Sequence, residues 1–203
     1  MRLFIGLGIP ARAPLCRVID RLSGMGPSVR PVRATHLHIT LRFLGDVTPD
    51  HLDPIIGAID NAMHVGLSHG WLMPFDLHLP CLGTFPDRAA APRVLFAHLG
   101  DAGPLRKLSQ ALDAELDDLE PPIPPRDHPF NPHVTLARLS RTRRPNRQVR
   151  DTLRTIIAES KAGPELGSVR IKAVKLIESR PGTHGPAYTT RHTCALKTSP
   201  ADT

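Results

Sequence analysis

Apolar residues along the chain recur at two spacings, and each predicts a different kind of element. The clearest period-two stretch is Thr35–Asp46, THLHITLRFLGD, where Leu37, Ile39, Leu41 and Phe43 alternate with His36, His38, Thr40 and Arg42. That alternation marks a strand with one buried face. It predicts that His38 and Thr40 project side by side from the other face, with Arg42 one pleat beyond. An echo lies at His128–Leu139, HPFNPHVTLARL, with Val134 and Leu136 on one face and His133 and Thr135 on the other. Strict alternation puts Arg138 on the apolar side of this second strand. The second histidine follows the first by nearly half the chain. One His-x-Thr strand per half points to a duplicated fold with a chemical strand from each lobe.

The remaining patterns repeat in the same order around these two strands. Arg2–Ile9 is a strand-like run closed by Pro10. Leu15, Val18, Ile19 and Leu22 then recur at helical spacing, with Pro14 suited to the first turn and Gly24 to the stop. Met25–Ala34 is a Gly/Pro-punctuated connection. After the first motif, Thr48 and Pro49 suit an N-cap and first helical position. Leu52, Ile55, Ile56, Ile59 and Met63 supply an apolar stripe that Pro54 kinks or delays. Trp71–Leu79 is strand-like but weakened by Pro74. The order then begins again: a strand at Arg93–Leu99, and helical spacing at Leu105, Leu108, Leu112, Leu116 and Leu119. A proline-dense segment, Glu120–Pro129, leads into the second motif. Val149, Leu153, Ile156 and Ile157 predict a helix, Val169–Ile177 a strand, and Ala187–Leu196 a final strand. The intervals from Phe4 to His38 and from Phe96 to His133 are nearly equal. The repeated order predicts a duplicated, two-lobed fold with one His-x-Thr strand in each lobe. The lobes are expected at approximately residues 1–85 and 90–197 of a single domain, with the seam near Gly83–Pro92, strand exchange between lobes allowed, and a flexible tail at 198–203.

Composition narrows the class. At 203 residues and 40% hydrophobic, the chain can bury a sizeable core. Its 22 prolines argue for short elements and rigid connections rather than long helices. The net charge of +7 favours an anionic partner such as a phosphate ester or nucleic acid; a merely soluble basic surface is the plainer alternative. Cys16, Cys81 and Cys194 are scattered and form no CxxC pair, which fits thiols in a reducing compartment better than a disulfide frame or zinc site. The short apolar run Leu3–Ile9 before Ala11-Arg12-Ala13 mimics a secretory leader but is read as the first strand of a cytoplasmic protein. No run is long enough for a membrane-spanning helix, so no membrane partner is expected.

Two histidines facing across a cleft can divide one base and one acid between them near neutral pH. Two threonine hydroxyls beside them can donate to the non-bridging oxygens of a phosphate. His36 and His38 form an HxH pair, but no third ligand follows at telling spacing, so no metal and no cofactor is expected. His51, His64, His69, His78, His98, His184 and His192 lack any recurring context and are read as surface or structural residues. The run from Arg138 to Arg150 contains six arginines and no acid, which makes it a candidate RNA track, with a solvated loop as the alternative.

HITLRFLGDV and HPFNPHVTLAR resemble the paired HxTx motifs of the 2H phosphoesterases, and most of all those of the bacterial and archaeal RNA 2′,3′-cyclic phosphodiesterases, also called 2′-5′ RNA ligases. The likeness extends to Arg2–Ile9, Leu82–Pro86 (LGTFP) and Glu178–Arg180 (ESR), and so covers nearly the whole chain. It implies a two-lobed α+β fold, each lobe an antiparallel-rich sheet with helices on its outer face, with the His-x-Thr strands lining a central cleft. It further implies that His38 is the proton donor and His133 the acceptor, with Thr40 and Thr135 as phosphate ligands. It also suggests a phosphate role for Arg138; Arg42 is a second candidate from its position on the strand. The family's aromatics before the first motif and before the ESR-like segment are replaced here by Pro31 or its neighbours and by Ile177. Stacking of a base or ribose then falls to Phe43, Phe85 or Phe130. The expected activity is hydrolysis of RNA 2′,3′-cyclic phosphate ends to 2′-phosphates, reversible toward 2′-5′ ligation. The expected partner is a tRNA-like or short RNA, bound by a monomer. Two alternatives are a phosphodiesterase of a small cyclic phosphate nucleotide and a non-catalytic RNA-end-binding protein.

Overall fold

A computed structural model describes residues 1–86, 92–140, 142–143, 145–183 and 185–196. The expected tail at 198–203, His184, Arg141, Arg144 and the middle of the expected seam lie outside the described residues. The elements in order are β1 (Arg2–Gly8), α1 (Ala13–Ser23), β2 (Val29–Pro31), β3 (His38–Asp46), α2 (Leu52–Ser68), β4 (Phe75–His78) and β5 (Leu82–Phe85). They continue with β6 (Val94–Ala97), α3 (Gly103–Asp117), β7 (Val134–Leu139), α4 (Arg147–Ala162), β8 (Ser168–Ile171), β9 (Ala173–Arg180) and β10 (Ala187–Ala195). The fold is α+β, with antiparallel strand pairing throughout the described ladders.

One eight-stranded sheet carries the site. Its order is β10-β9-β1-β3-β7-β6-β5, with β2 added alongside β7, while β4 and β8 pair separately. Strands distant in sequence thus lie side by side: β9 from the C-terminal third pairs with β1, and β2 pairs with β7. At the centre, β3 and β7 share only the pair Ile39↔Val134. The two halves of the sheet diverge from that single link.

The helices form where the apolar spacing places them. In α1 the buried residues are Leu15, Val18, Ile19 and Leu22, with proline in the first turn, Arg21 in the last turn and Gly24 at the C-cap. In α4 the Asn146 side chain accepts the Val149 amide at 2.9 Å, capping the first turn. Pro54 sits in the first turn of α2, where its missing N–H costs no helical bond, so the helix starts normally. Thr48 stands ahead of a short 3-10 turn at Pro49–His51 rather than ahead of α2, and its hydroxyl meets His51 Nδ1 at 2.8 Å. The apolar faces of these helices and of the sheet form one core cluster. Among the described residues no helix is long and apolar enough to cross a membrane.

Several expectations from periodicity are corrected. The strand expected over Trp71–Leu79 is confined to Phe75–His78, after Pro74, which lacks a ladder donor. The single strand expected over Val169–Ile177 is two strands that break at Lys172 and join different sheets. Two short strands, β2 and β5, arise in segments without alternation. Most consequential, neither motif strand alternates strictly. Opposite β3, Ile5 pairs with Arg42 and Gly6 with Thr40, so Leu41 is an extra residue; opposite β7, Leu95 pairs with Ala137 and Phe96 with Thr135, so Leu136 is extra. These are β-bulges, which bend the strand and re-aim every side chain beyond them. Gly6 is needed at the first one: a Cβ there would lie 2.7 Å from the Ile39 carbonyl oxygen.

Candidate active site

The Ile39↔Val134 link decides what meets. His38 and Thr40 flank Ile39 along the chain, and His133 and Thr135 flank Val134. All four line one cavity of about 450 Å³, together with Phe43, Phe85, Phe130 and Arg138. The bulges put the last of these there. Leu136 and Ala137 are both buried and Arg138 is turned out, so Arg138 stands on the cleft face rather than on the Val134/Leu136 side that strict alternation requires. In the same way Leu41 and Arg42 are both buried, and Phe43, expected on the core face, is 66% exposed and lines the cavity.

Arg42 borders the same cavity but is buried, not turned out as strict alternation predicts. Its side chain is 2% exposed, with Nη1 3.3 Å from Asp113 and Nη2 donating to the Pro124 carbonyl. Arg126 binds the same carboxylate through Nε at 2.7 Å and Nη2 at 2.9 Å, and donates from Nη1 to the Leu41 carbonyl at 2.7 Å. The bulge carbonyl is thus paired from the proline-dense loop. The Arg126 guanidinium also lies 5.3 Å from the centre of the Phe130 ring. This network fixes the wall that carries Phe130.

The two histidines have the same local geometry. Nδ1 of His38 lies 2.7 Å from the carbonyl of His36, and Nδ1 of His133 lies 2.8 Å from the carbonyl of Asn131. A carbonyl can only accept, so each Nδ1 carries its proton and each Nε2 is left for chemistry. Aromatic rings hold both imidazoles. His38 has Phe4 at 4.9 Å and Tyr188 edge-on at 5.4 Å; His133 has Phe96 at 5.3 Å and Phe85 edge-on at 5.1 Å. Phe4 and Phe96 are both buried. Burial is the largest influence on each ring and pushes both pKa values down; the backbone carbonyl opposes it, and the positive charge of Arg138 lowers both further.

Sequence reasoning overlooked Tyr188, Phe4 and Phe96 as supports for the histidines. Tyr188 is the only tyrosine of the chain, and it reaches His38 through the β9–β10 pairing that no local pattern announces. Phe4 and Phe96 hold matching positions ahead of the two motifs, which was a usable signal. Of the described arginines in the basic run, Arg138 is in the cleft, while Arg147 and Arg150 belong to α4, with Arg147 3.6 Å from Asp151. The ring of His36 packs against Tyr188 at 4.8 Å.

Known proteins share this architecture and part of the sequence. The chain is 30% identical over 177 residues to the RNA 2′,3′-cyclic phosphodiesterase of Aeropyrum pernix, covering 87% of this chain and 91% of that one. It is 31% identical over 167 residues to the protein of the same name from Aquifex aeolicus, covering 81% and 79%. The crystal structure of TT0787 of Thermus thermophilus superposes with a TM-score of 0.74 at 28% identity, over 97% of this chain and 98% of that one. Escherichia coli LigT complexed with NADP+ has the same fold, with a TM-score of 0.63 at 22% identity over 96% and 97% of the two chains. The family model described as the 2′-5′ RNA ligase superfamily matches residues 12–183, and the chain belongs to that superfamily.

Proposed function

We propose that the protein hydrolyses the 2′,3′-cyclic phosphate ends of RNA to 2′-phosphates by acid–base catalysis between His38 and His133. One observation carries the reading: two imidazoles, each with Nδ1 held by the carbonyl two residues upstream, share a cavity with two threonines and one arginine. Neutral His133 takes a proton at Nε2 from the water that attacks phosphorus. Protonated His38 gives one from Nε2 to the leaving 3′-oxygen as the P–O3′ bond breaks and the P–O bond to water forms. Thr40, Thr135 and Arg138 donate to the non-bridging oxygens as charge builds there. Acid, base and anion donors are then all side chains of this chain, and the scheme calls for no cofactor. With an RNA 5′-hydroxyl in place of the attacking water, the same displacement forms a 2′-5′ linkage: His133 takes the hydroxyl proton and His38 protonates the leaving 3′-oxygen. Phe43, Phe85 and Phe130 offer the apolar wall against which the terminal nucleoside rests. The two motif-bearing halves work as one domain and one monomer, since a single chain brings all four motif side chains to one cavity.

Phosphorus NMR of a digested oligoribonucleotide with a 2′,3′-cyclic phosphate end tests the assignment. The expected product is almost purely the 2′-phosphomonoester. A dominant 3′-phosphate reverses the roles of the two histidines, and no turnover removes the reading.

A further inference from the structure

A second compartment opens beside the first, on the β2 side of the sheet, with a volume of about 790 Å³. It shares His38, Thr135 and Arg138 with the cavity described above, so the two are halves of one cleft that meet at the reacting groups. Their chemistry differs sharply. The first half carries the phenylalanines, and two of its arginines, Arg42 and Arg126, are already tied to Asp113. The second half is lined by Arg30, Arg33 and Arg138, with His36 and Tyr188 beside them, and by no aspartate or glutamate among the described residues. None of those three arginines has a carboxylate partner among the described ion pairs.

The ladder makes the charge concentration sharper. Arg30 and Arg138 are a directly opposed pair across β2 and β7. Opposed residues have their Cβ atoms roughly 5 Å apart on one face of the sheet, and like charges in that position are destabilising. Unneutralised, the pair weakens a strand of only three residues. An anion lying between the two guanidiniums turns the repulsion into a pair of charge-assisted hydrogen bonds. Tyr188 lies beside them with a phenol that is neutral near pH 7 and can donate, so it adds no negative charge that competes with an anion.

We propose that this compartment binds the phosphodiester immediately 5′ to the terminal nucleotide, and that it makes the protein select RNA ends over mononucleotides. The inference rests on the function proposed above, which seats the terminal cyclic phosphate at the shared residues and its nucleoside among the phenylalanines. The strand then has one exit with cationic walls, and the next anion along it meets Arg30, Arg33 and Arg138. A mononucleotide has no such phosphodiester and leaves the compartment unfilled. A small cyclic phosphate nucleotide as the true substrate gives the opposite preference.

Equilibrium binding tests this without requiring turnover. The probes are a ribodinucleotide ending in a 2′-phosphate and the matching nucleoside 2′-monophosphate, titrated into wild type, R30Q/R33Q, R30K/R33K and, as a surface control, R17Q. Wild type is expected to bind the dinucleotide at least tenfold more tightly. Its dinucleotide affinity should fall with salt by a log–log slope steeper by about 0.7 than the mononucleotide's, the increment for one neutralised single-strand phosphate. In R30Q/R33Q the affinity ratio drops toward one and the extra slope vanishes; in R30K/R33K most of the slope survives, and R17Q matches wild type. The proposal is overturned if wild type shows no preference, if R30Q/R33Q keeps it, or if that variant loses affinity for both probes equally. If the preference is present and follows these arginines but no cyclic phosphate is hydrolysed, the hydrolytic reading fails and the phosphodiester site stands.

Discussion

The two motif strands begin alike and end differently. In β3 the order is His38, Thr40, a bulge at Leu41, a buried Arg42 and an exposed Phe43; in β7 it is His133, Thr135, a bulge at Leu136, a buried Ala137 and an exposed Arg138. The same backbone irregularity therefore presents a ring on one wall and a guanidinium on the other. Beneath them the contrast recurs. Ala137 is buried at no polar cost, whereas Arg42 has to be matched by Asp113 and the Pro124 carbonyl, and its Nε has no partner among the described residues. The shared part of the pattern carries the proposed acid–base pair. The part that differs divides the cleft into an apolar side and a cationic side.

Breaking the shared part should have the largest effect. His38→Ala and His133→Ala each lower kcat by on the order of a hundredfold or more, the usual scale for loss of a general acid or base. The double variant falls little further, because the two rings act as a unit. Circular dichroism should be unchanged, since both side chains are only half-buried and their bonded partners are backbone carbonyls. A near-wild-type rate in either folded variant would rule out the paired-histidine scheme.

The difference between Phe43 and Arg138 should appear in the pH profile. The productive state has one histidine charged and the other neutral, so kcat/KM is bell-shaped: below both pKa values the base is lost, and above both the acid is lost. Both values are held below the ordinary imidazole value of about 6.5, so the maximum falls on the acid side of pH 6.5. Arg138 lowers both, and Arg138→Gln therefore moves the maximum to higher pH while reducing the rate at the maximum by about tenfold, the loss of one charge-assisted bond. Phe43→Ala raises KM several-fold, as expected for one stacking partner at roughly 1 kcal/mol, and leaves the profile where it was. An unmoved profile in Arg138→Gln would separate Arg138 from the histidines.

The smallest effect on chemistry, and a clear one on stability, comes from the buried residue of the first bulge. Asp113→Ala leaves the Arg42 guanidinium buried without its carboxylate and frees Arg126 from the same site. A cost of about 2 kcal/mol is expected in urea unfolding, set below the range for wholly buried pairs because the Asp113 side chain is 30% exposed. Hydrogen exchange should rise over residues 120–130 and β3 but not over β7, where alanine occupies the matching place.

Local pattern determined a good deal about this protein. The two His-x-Thr stretches, the matching phenylalanines ahead of them, and the faces of α1, α3 and α4 all follow from side-chain periodicity, which acts over a few residues and needs no distant partner. The α+β class with antiparallel-rich sheets came instead from the likeness of the two motifs to a known family. What periodicity could not determine was anything that depends on a neighbour strand. A bulge is a mismatch between two strands, so the exchange of Arg42 for Phe43, and the turning-out of Arg138, exist only once β1 and β6 are in register with their partners. The break at Lys172 likewise reflects which sheet each half of that segment joins. Arg30 gained its significance only when β2 was laid against β7, and Tyr188 when β10 was laid against β9. Tertiary pairing alone decided that one side of the cleft is apolar and the other cationic, because it brings together residues from strands more than a hundred positions apart in the chain.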